Sequence, residues 1–106
     1  MRVLCDQGTP VPLHKHLTAH EVETVFERGW STLTNGELLV KAEEQGFEVL
    51  VATDKNLHDQ QNLAARSIAI LVLSTTSWPR IRMAATAINQ AIESMLPRSL
   101  SEIDIP

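Results

Sequence analysis

The sequence predicts an α/β fold: a single-domain, Rossmann-like three-layer sandwich on a mostly parallel sheet of four to five strands. Three observations predict it. Short apolar runs alternate with segments of helical spacing, the order that gives a parallel sheet flanked by helices. The run Ile68 to Leu73 is continuously apolar, as suits a central strand covered on both faces. Two other runs, Arg2-Val3-Leu4-Cys5-Asp6 and Phe47-Glu48-Val49-Leu50-Val51-Ala52-Thr53-Asp54, each end in an aspartate where a strand should stop.

The elements follow in order. Residues 2–6 read as the first strand. Gly8, Pro10 and Pro12 break that pattern, and Thr9 is placed to cap a short helix with Pro10 in its first turn, running to about Leu17. Residues 20–25 alternate polar and apolar, which suits a half-exposed strand. Gly29-Trp30-Ser31 reads as a turn. Residues 35–45 form a helix with Leu38, Leu39 and Ala42 on one face, and Gly46 stops it. Residues 48–53 are a strand. Residues 57–66 are polar and suit a short helix or a loop. Pro79 opens a last helix whose Ile81, Ala84, Ala85, Ile88, Ile92 and Met95 recur at helical spacing, and Pro97 ends it. Residues 100–105 alternate weakly, as a final edge strand.

Composition bounds the function. The 106 residues suffice for one domain, 1–106, with one core. A 43% hydrophobic, 21% charged chain is that of an ordinary globular protein rather than a disordered one. The net charge of −4 excludes a wholly basic nucleic-acid binder, so any contact with nucleic acid needs a local patch or a metal. Cys5 is the only cysteine and lies inside an apolar strand, so a buried thiol and a reducing cytoplasm are expected. The N-terminus opens on a strand pattern without a signal peptide. The longest apolar run is too short to span a bilayer, so no membrane partner is expected. No Gly-rich phosphate loop follows the first strand, whose continuation is Asp6-Gln7-Gly8-Thr9-Pro10.

Asp6 and Asp54 carry the chemistry. Ligands of open parallel sheets bind outside the carboxyl ends of the strands. If the two strands are parallel neighbours, the aspartates converge on one acidic spot, which suits a hard cation such as Mg²⁺ or Mn²⁺. The rival explanation is that each aspartate only caps the turn after it. Glu37 opens a helix and is a candidate third carboxylate, yet Thr34-Asn35-Gly36-Glu37 also matches a capping box. Asn56 is a candidate weak ligand or water-holder. Lys55, Arg66 and Arg80 are candidate phosphate contacts, and the polar cluster around Gln61 could face a nucleic acid. His14 and His16 are two apart, which does not suit a shared metal on a helix. Trp30 and Trp78 read as packing anchors.

Three stretches then carry a resemblance: Val3-Leu4-Cys5-Asp6 with Pro10 and Leu13 behind it, Asn35-Gly36-Glu37-Leu38-Leu39 leading into Ala42, and Val49 to Asn56. In these the chain resembles the PIN-like superfamily, specifically a group of small, largely uncharacterised bacterial proteins with a PIN-like fold. PIN domains are metal-dependent ribonucleases, many of them the toxin half of a toxin–antitoxin pair. The resemblance implies Asp6 as the first-strand acid, Glu37 or Asn35 at the helix-start position, and Asp54 after the third strand. Asn56 stands where relatives often carry a further Asp, and Asn35 likewise, so two acids have become amides here. One Mg²⁺ is then more plausible than two.

The expected function is a Mg²⁺- or Mn²⁺-dependent ribonuclease. Asp6 and Asp54 would hold the metal, Glu37 would hold it or orient the attacking water, and Lys55 or Arg66 would steady the RNA backbone. Asn35, Asn56 and Lys55 would support the site, and Gln61 would join Arg66 in binding the substrate. An antitoxin and a second copy of the chain are the partners this implies. The alternative is a non-catalytic PIN-like interaction protein that has lost part of its acidic site; a small-molecule phosphatase using the same acids is a third reading.

Overall fold

The computed structural model describes residues 1–54 and 67–106. Lys55, Asn56, Gln61 and Arg66 lie outside the described residues, as does the polar segment 57–66. The elements run β1 (Arg2–Cys5), a 3-10 helix (Val11–His16), β2 (Glu21–Thr24), α1 (Asn35–Glu44), β3 (Val49–Ala52), β4 (Ala69–Leu73), α2 (Trp78–Met83), α3 (Ala85–Ser94) and β5 (Leu100–Ile103). The strands form one five-stranded sheet in the order β2-β1-β3-β4-β5. All four pairings are parallel, with Cys5 opposite both Thr24 and Val51.

Strand periodicity sorts the core into two layers. Val3, Cys5, Val49, Val51, Ala69, Leu71 and Leu73 face one side, where they meet Leu13 and Leu17 from the 3-10 helix region and Ile81, Ile88 and Ile92 from α2 and α3. Leu4, Leu50, Ala52, Ile70 and Val72 face the other, where they meet Leu38, Leu39 and Ala42 of α1 together with Val25 and Phe47. Both faces of β3 and β4 are therefore covered, which is why their sequences are unbroken apolar runs. Truncating a side chain as enclosed as Leu71 to alanine costs about 2–5 kcal/mol.

The edges are treated differently. β2 carries Glu21 and Glu23, and Arg2 of β1 reaches over to both, at 3.9 and 3.2 Å. The same guanidinium lies 4.4 Å from the Phe47 ring centre, so the charge is stacked as well as paired. Arg28 adds a 3.5 Å pair to Glu23 and stacks on Trp30. β5 closes the other edge, with Leu100, Ser101 and Glu102 exposed and Ile103 half-buried against the core.

Helix α1 has both ends specified locally. Thr34 caps its start. At its end Gly46 takes φ +81°, its N–H donates to Glu43 O at 3.1 Å, and the Phe47 N–H donates to Ala42 O at 2.9 Å. This is the paired closure of a glycine-terminated helix.

Two expectations are corrected. The last helix is not continuous from Pro79: it divides at Ala84, whose N–H bonds back to Ile81 O at 3.0 Å in a tightened turn before α3 resumes. Thr9 does not cap the short helix. Pro10 occupies that position, the helix is 3-10, and the Thr9 hydroxyl is buried and donates to Val51 O at 3.2 Å. The tryptophans pack as anchors, Trp30 edge-on to Phe47 and Trp78 beside His16.

Candidate functional site

β1 and β3 are parallel neighbours, and the order β2-β1-β3 places the reversal of winding between them. From β1 the chain crosses to one side to make β2 and returns to the other side to make β3. The crevice beyond the carboxyl ends of such a strand pair is where open α/β sheets bind ligands. Asp6 follows the last residue of β1, and Asp54 lies two residues past the end of β3.

Backbone bonds fix Asp6 in that crevice. Its N–H donates to Val51 O at 2.8 Å, extending the β1–β3 ladder by one rung, and its carbonyl accepts from Thr9 N at 2.9 Å. The intervening loop folds back on β3, with the Thr9 hydroxyl bonded to the same Val51 oxygen. Gly8 permits this approach, because a Cβ there would sit 2.5 Å from Thr53 Oγ1. The Asp6 side chain turns onto its own loop, with Oδ1 accepting from Gln7 N at 2.8 Å.

The two aspartates are electrostatically coupled. Burial pushes the Asp6 carboxyl above its ordinary pKa, the Gln7 N–H partly opposes this, and the negative charge of Asp54 raises it further. Cys5, just below, is driven up to about 12 by burial first and then by the charges of Asp6 and Glu27, so its thiol is inert.

Glu37 is put to a different use. Its Oε1 accepts from Thr34 N at 3.0 Å while its own N–H donates to Thr34 Oγ1 at 3.2 Å, completing the capping box. The backbone bond to Thr34, then the side-chain one, holds its exposed carboxyl below the ordinary range. Glu37 lines a shallow hollow with Leu33, Val40 and Lys41, and Asp6 lines a different one. Asn35 is the first residue of α1.

A cavity of about 460 Å³ opens beside Asp6, between the 3-10 helix and the turn that follows β2. Thr24, Phe26, Glu27 and His14 share its lining with Asp6. The turn is built by a second reciprocal pair: Thr24 N donates to Glu27 Oε1 at 3.1 Å and Glu27 N to Thr24 Oγ1 at 3.0 Å. The sequence signal for it, Thr24-Val25-Phe26-Glu27, has the same T-x-x-E spacing as Thr34 to Glu37. The alternation of 20–25 masked it, because Thr24 and Val25 also read as strand.

Asp6 and Asp54 suit a hard cation. Their repulsion raises the cost of charging Asp6, and a divalent ion offsets that cost; Mg²⁺ needs only one or two carboxylates and keeps several waters. Among the described residues no group of three or more His, Cys, Asp or Glu is arranged to hold a metal ion. No known family, curated protein or solved structure matches the chain.

Proposed function

We propose that the chain is a Mg²⁺- or Mn²⁺-dependent ribonuclease of PIN-like fold that hydrolyses RNA phosphodiesters, in the manner of a toxin held by a cognate antitoxin. The reading includes a homo-oligomer acting in the cytoplasm. The observation that carries it is the position of Asp6 and Asp54 just past the carboxyl ends of the neighbouring strands β1 and β3, where the charge of Asp54 adds to the cost of charging Asp6.

Asp6 and Asp54 would hold the ion. When bound, such an ion lowers the pKa of a water and neutralises charge on the scissile phosphate. Val51 O and the Gly8–Thr9 loop keep Asp6 at a fixed height against β3. Glu37 acts through the helix cap rather than at the metal. Lys55 and Arg66 remain the candidates for steadying the RNA backbone, with Asn56 and Gln61 supporting them.

A second reading is favoured by a specific observation: Glu37 is engaged in its cap, and Asn35 replaces an acid of the resembled pattern. A PIN-like interaction protein without catalysis accounts for both. Calorimetric titration of Mg²⁺ and Mn²⁺ into wild type and Asp6→Asn separates the two. The nuclease reading expects wild-type binding that Asp6→Asn loses, and EDTA-sensitive RNA cleavage that Asp54→Asn loses. No binding at millimolar metal leaves the interaction reading.

A further inference from the structure

We infer that the cavity beside Asp6 is a base-recognition subsite that takes a guanine of the RNA strand, stacked on Phe26 and read by Glu27. The inference rests on the nuclease reading above and gives it a substrate preference.

The cavity has the size of a small-ligand pocket, about 460 Å³. Its rim carries Phe26, 79% exposed, and the 64% exposed Val11. Single exposed apolar residues are ordinary on a surface. Phe26 differs because it stands at the mouth of a cavity on a turn that cannot slide. Arg28 N bonds Thr24 O at 3.2 Å, Gly29 N bonds Phe26 O at 3.0 Å and Trp30 N bonds Val25 O at 3.0 Å. Gly29 closes that turn at φ +75°. A ring held on a rigid support is a low-entropy stacking platform for an unpaired base.

The charge of the cavity decides which part of a nucleotide enters it. Asp6 and Glu27 line it and no Lys or Arg does, so a phosphate is repelled and a hydrogen-bond donor is attracted. Glu27 is oriented by its bond from Thr24 N, which leaves lone pairs on both carboxylate oxygens. Guanine alone among the four RNA bases presents two adjacent donors, N1–H and N2–H, on its Watson–Crick edge. Adenine, cytosine and uracil each set an acceptor beside their donor, and that acceptor would face the carboxylate. His14 bonds Val11 O at 2.6 Å through Nδ1; a carbonyl only accepts, so Nδ1 carries the proton and Nε2 remains for the sugar or a water. Because Asp6 lines the cavity and also follows β1 next to β3, a base seated here would bring its neighbouring phosphate toward the acidic pair.

The test is calorimetric titration of the four ribonucleosides, which carry no phosphate, into the whole chain without metal, with light scattering alongside. Guanosine is expected to bind, with the other three about tenfold or more weaker. Phe26→Ala should weaken guanosine by about tenfold while Phe26→Tyr keeps it. Glu27→Gln retains an oxygen for Thr24 N and should erase the preference for guanine. Equal binding of all four, or guanosine affinity unchanged in Phe26→Ala with melting temperature intact, overturns the inference. So does Phe26-dependent dimerisation without nucleoside binding, which assigns the cavity to a second copy. Since neither metal nor cleavage enters the measurement, a chain that binds guanosine but no metal sinks the nuclease reading alone.

Discussion

The N–H of Asp6 and the hydroxyl of Thr9 converge on one acceptor, the carbonyl of Val51, at 2.8 and 3.2 Å. Two donors from the loop after β1 are thus anchored to a single point on β3. The height of the first aspartate above the sheet is set by backbone bonds, while its Oδ1 accepts from Gln7 N.

That anchoring depends on Gly8. A Cβ at position 8 meets Thr53 Oγ1 at 2.5 Å, and a β-branched threonine has little freedom to yield. Gly8→Ala is expected to lose about 1–3 kcal/mol. Thr53→Ala in the same chain should restore most of it, and a double-mutant cycle by urea denaturation measures the coupling. Additive losses would show that Gly8 is needed for another reason.

Asp6 makes stability depend on pH in a stated direction. Its carboxyl is raised in the fold, so the fold favours the protonated form. That contribution is fully present below the ordinary aspartate pKa and is lost as pH rises through the raised value. Asp6→Asn, which keeps an oxygen for the Gln7 N–H, is therefore expected to melt higher than wild type at neutral pH. The two should converge below about pH 3.5. Thermal denaturation at several pH values checks it, and an Asn variant that is less stable at pH 7 refutes it.

Metal should reverse that ranking. At ten times its dissociation constant a bound ion stabilises the native state by about 1.4 kcal/mol. For a domain of this size that is roughly 6 °C in melting temperature. Wild type is expected to gain it on addition of Mg²⁺ or Mn²⁺, and Asp6→Asn to gain nothing. Equal gains in both proteins would place the metal elsewhere.

The capping box separates Glu37 from catalysis. Thr34→Ala should cost about 1 kcal/mol. Glu37→Gln should be nearly neutral, because glutamine completes the same box. The carboxyl of Glu37 is lowered, so its share of the cap is present above the ordinary glutamate value and fades as pH falls through the lowered one. RNA cleavage by Glu37→Gln is expected to stay within about twofold of wild type, since an amide caps as well. A loss of several orders of magnitude with an unchanged melting curve would return Glu37 to the reacting centre.

Much of the fold was legible because its signals are local. The apolar runs of β3 and β4 state their burial outright, and Thr34, Glu37 and Gly46 bracket α1. Position in the sheet was less so: only the observed order shows that β1 lies between β2 and β3, which brings Asp6 and Asp54 to one crevice. The break at Ala84 left no trace, since Ile81, Ala84, Ile88 and Ile92 hold helical spacing across it. Thr9 was misread because a hydroxyl before a proline suits a cap, while its bond to Val51 spans 42 residues. The cavity beside Asp6 was hidden for the same reason: its walls come from three segments that no spacing rule connects.

The all-parallel ladder has a consequence for how the chain folds. Among the described residues no strand pairs with its neighbour through a hairpin, so no rung of the described sheet is local. β1 precedes β3 in the chain, so its second sheet neighbour is added late, and the bond from Arg2 N to the Glu48 side chain closes a separation of 46 residues. Its apolar Val3-Leu4-Cys5 segment stays uncovered through that interval. Folding of this sheet should be slow, and β1 should be an aggregation-prone segment until β3 is in place.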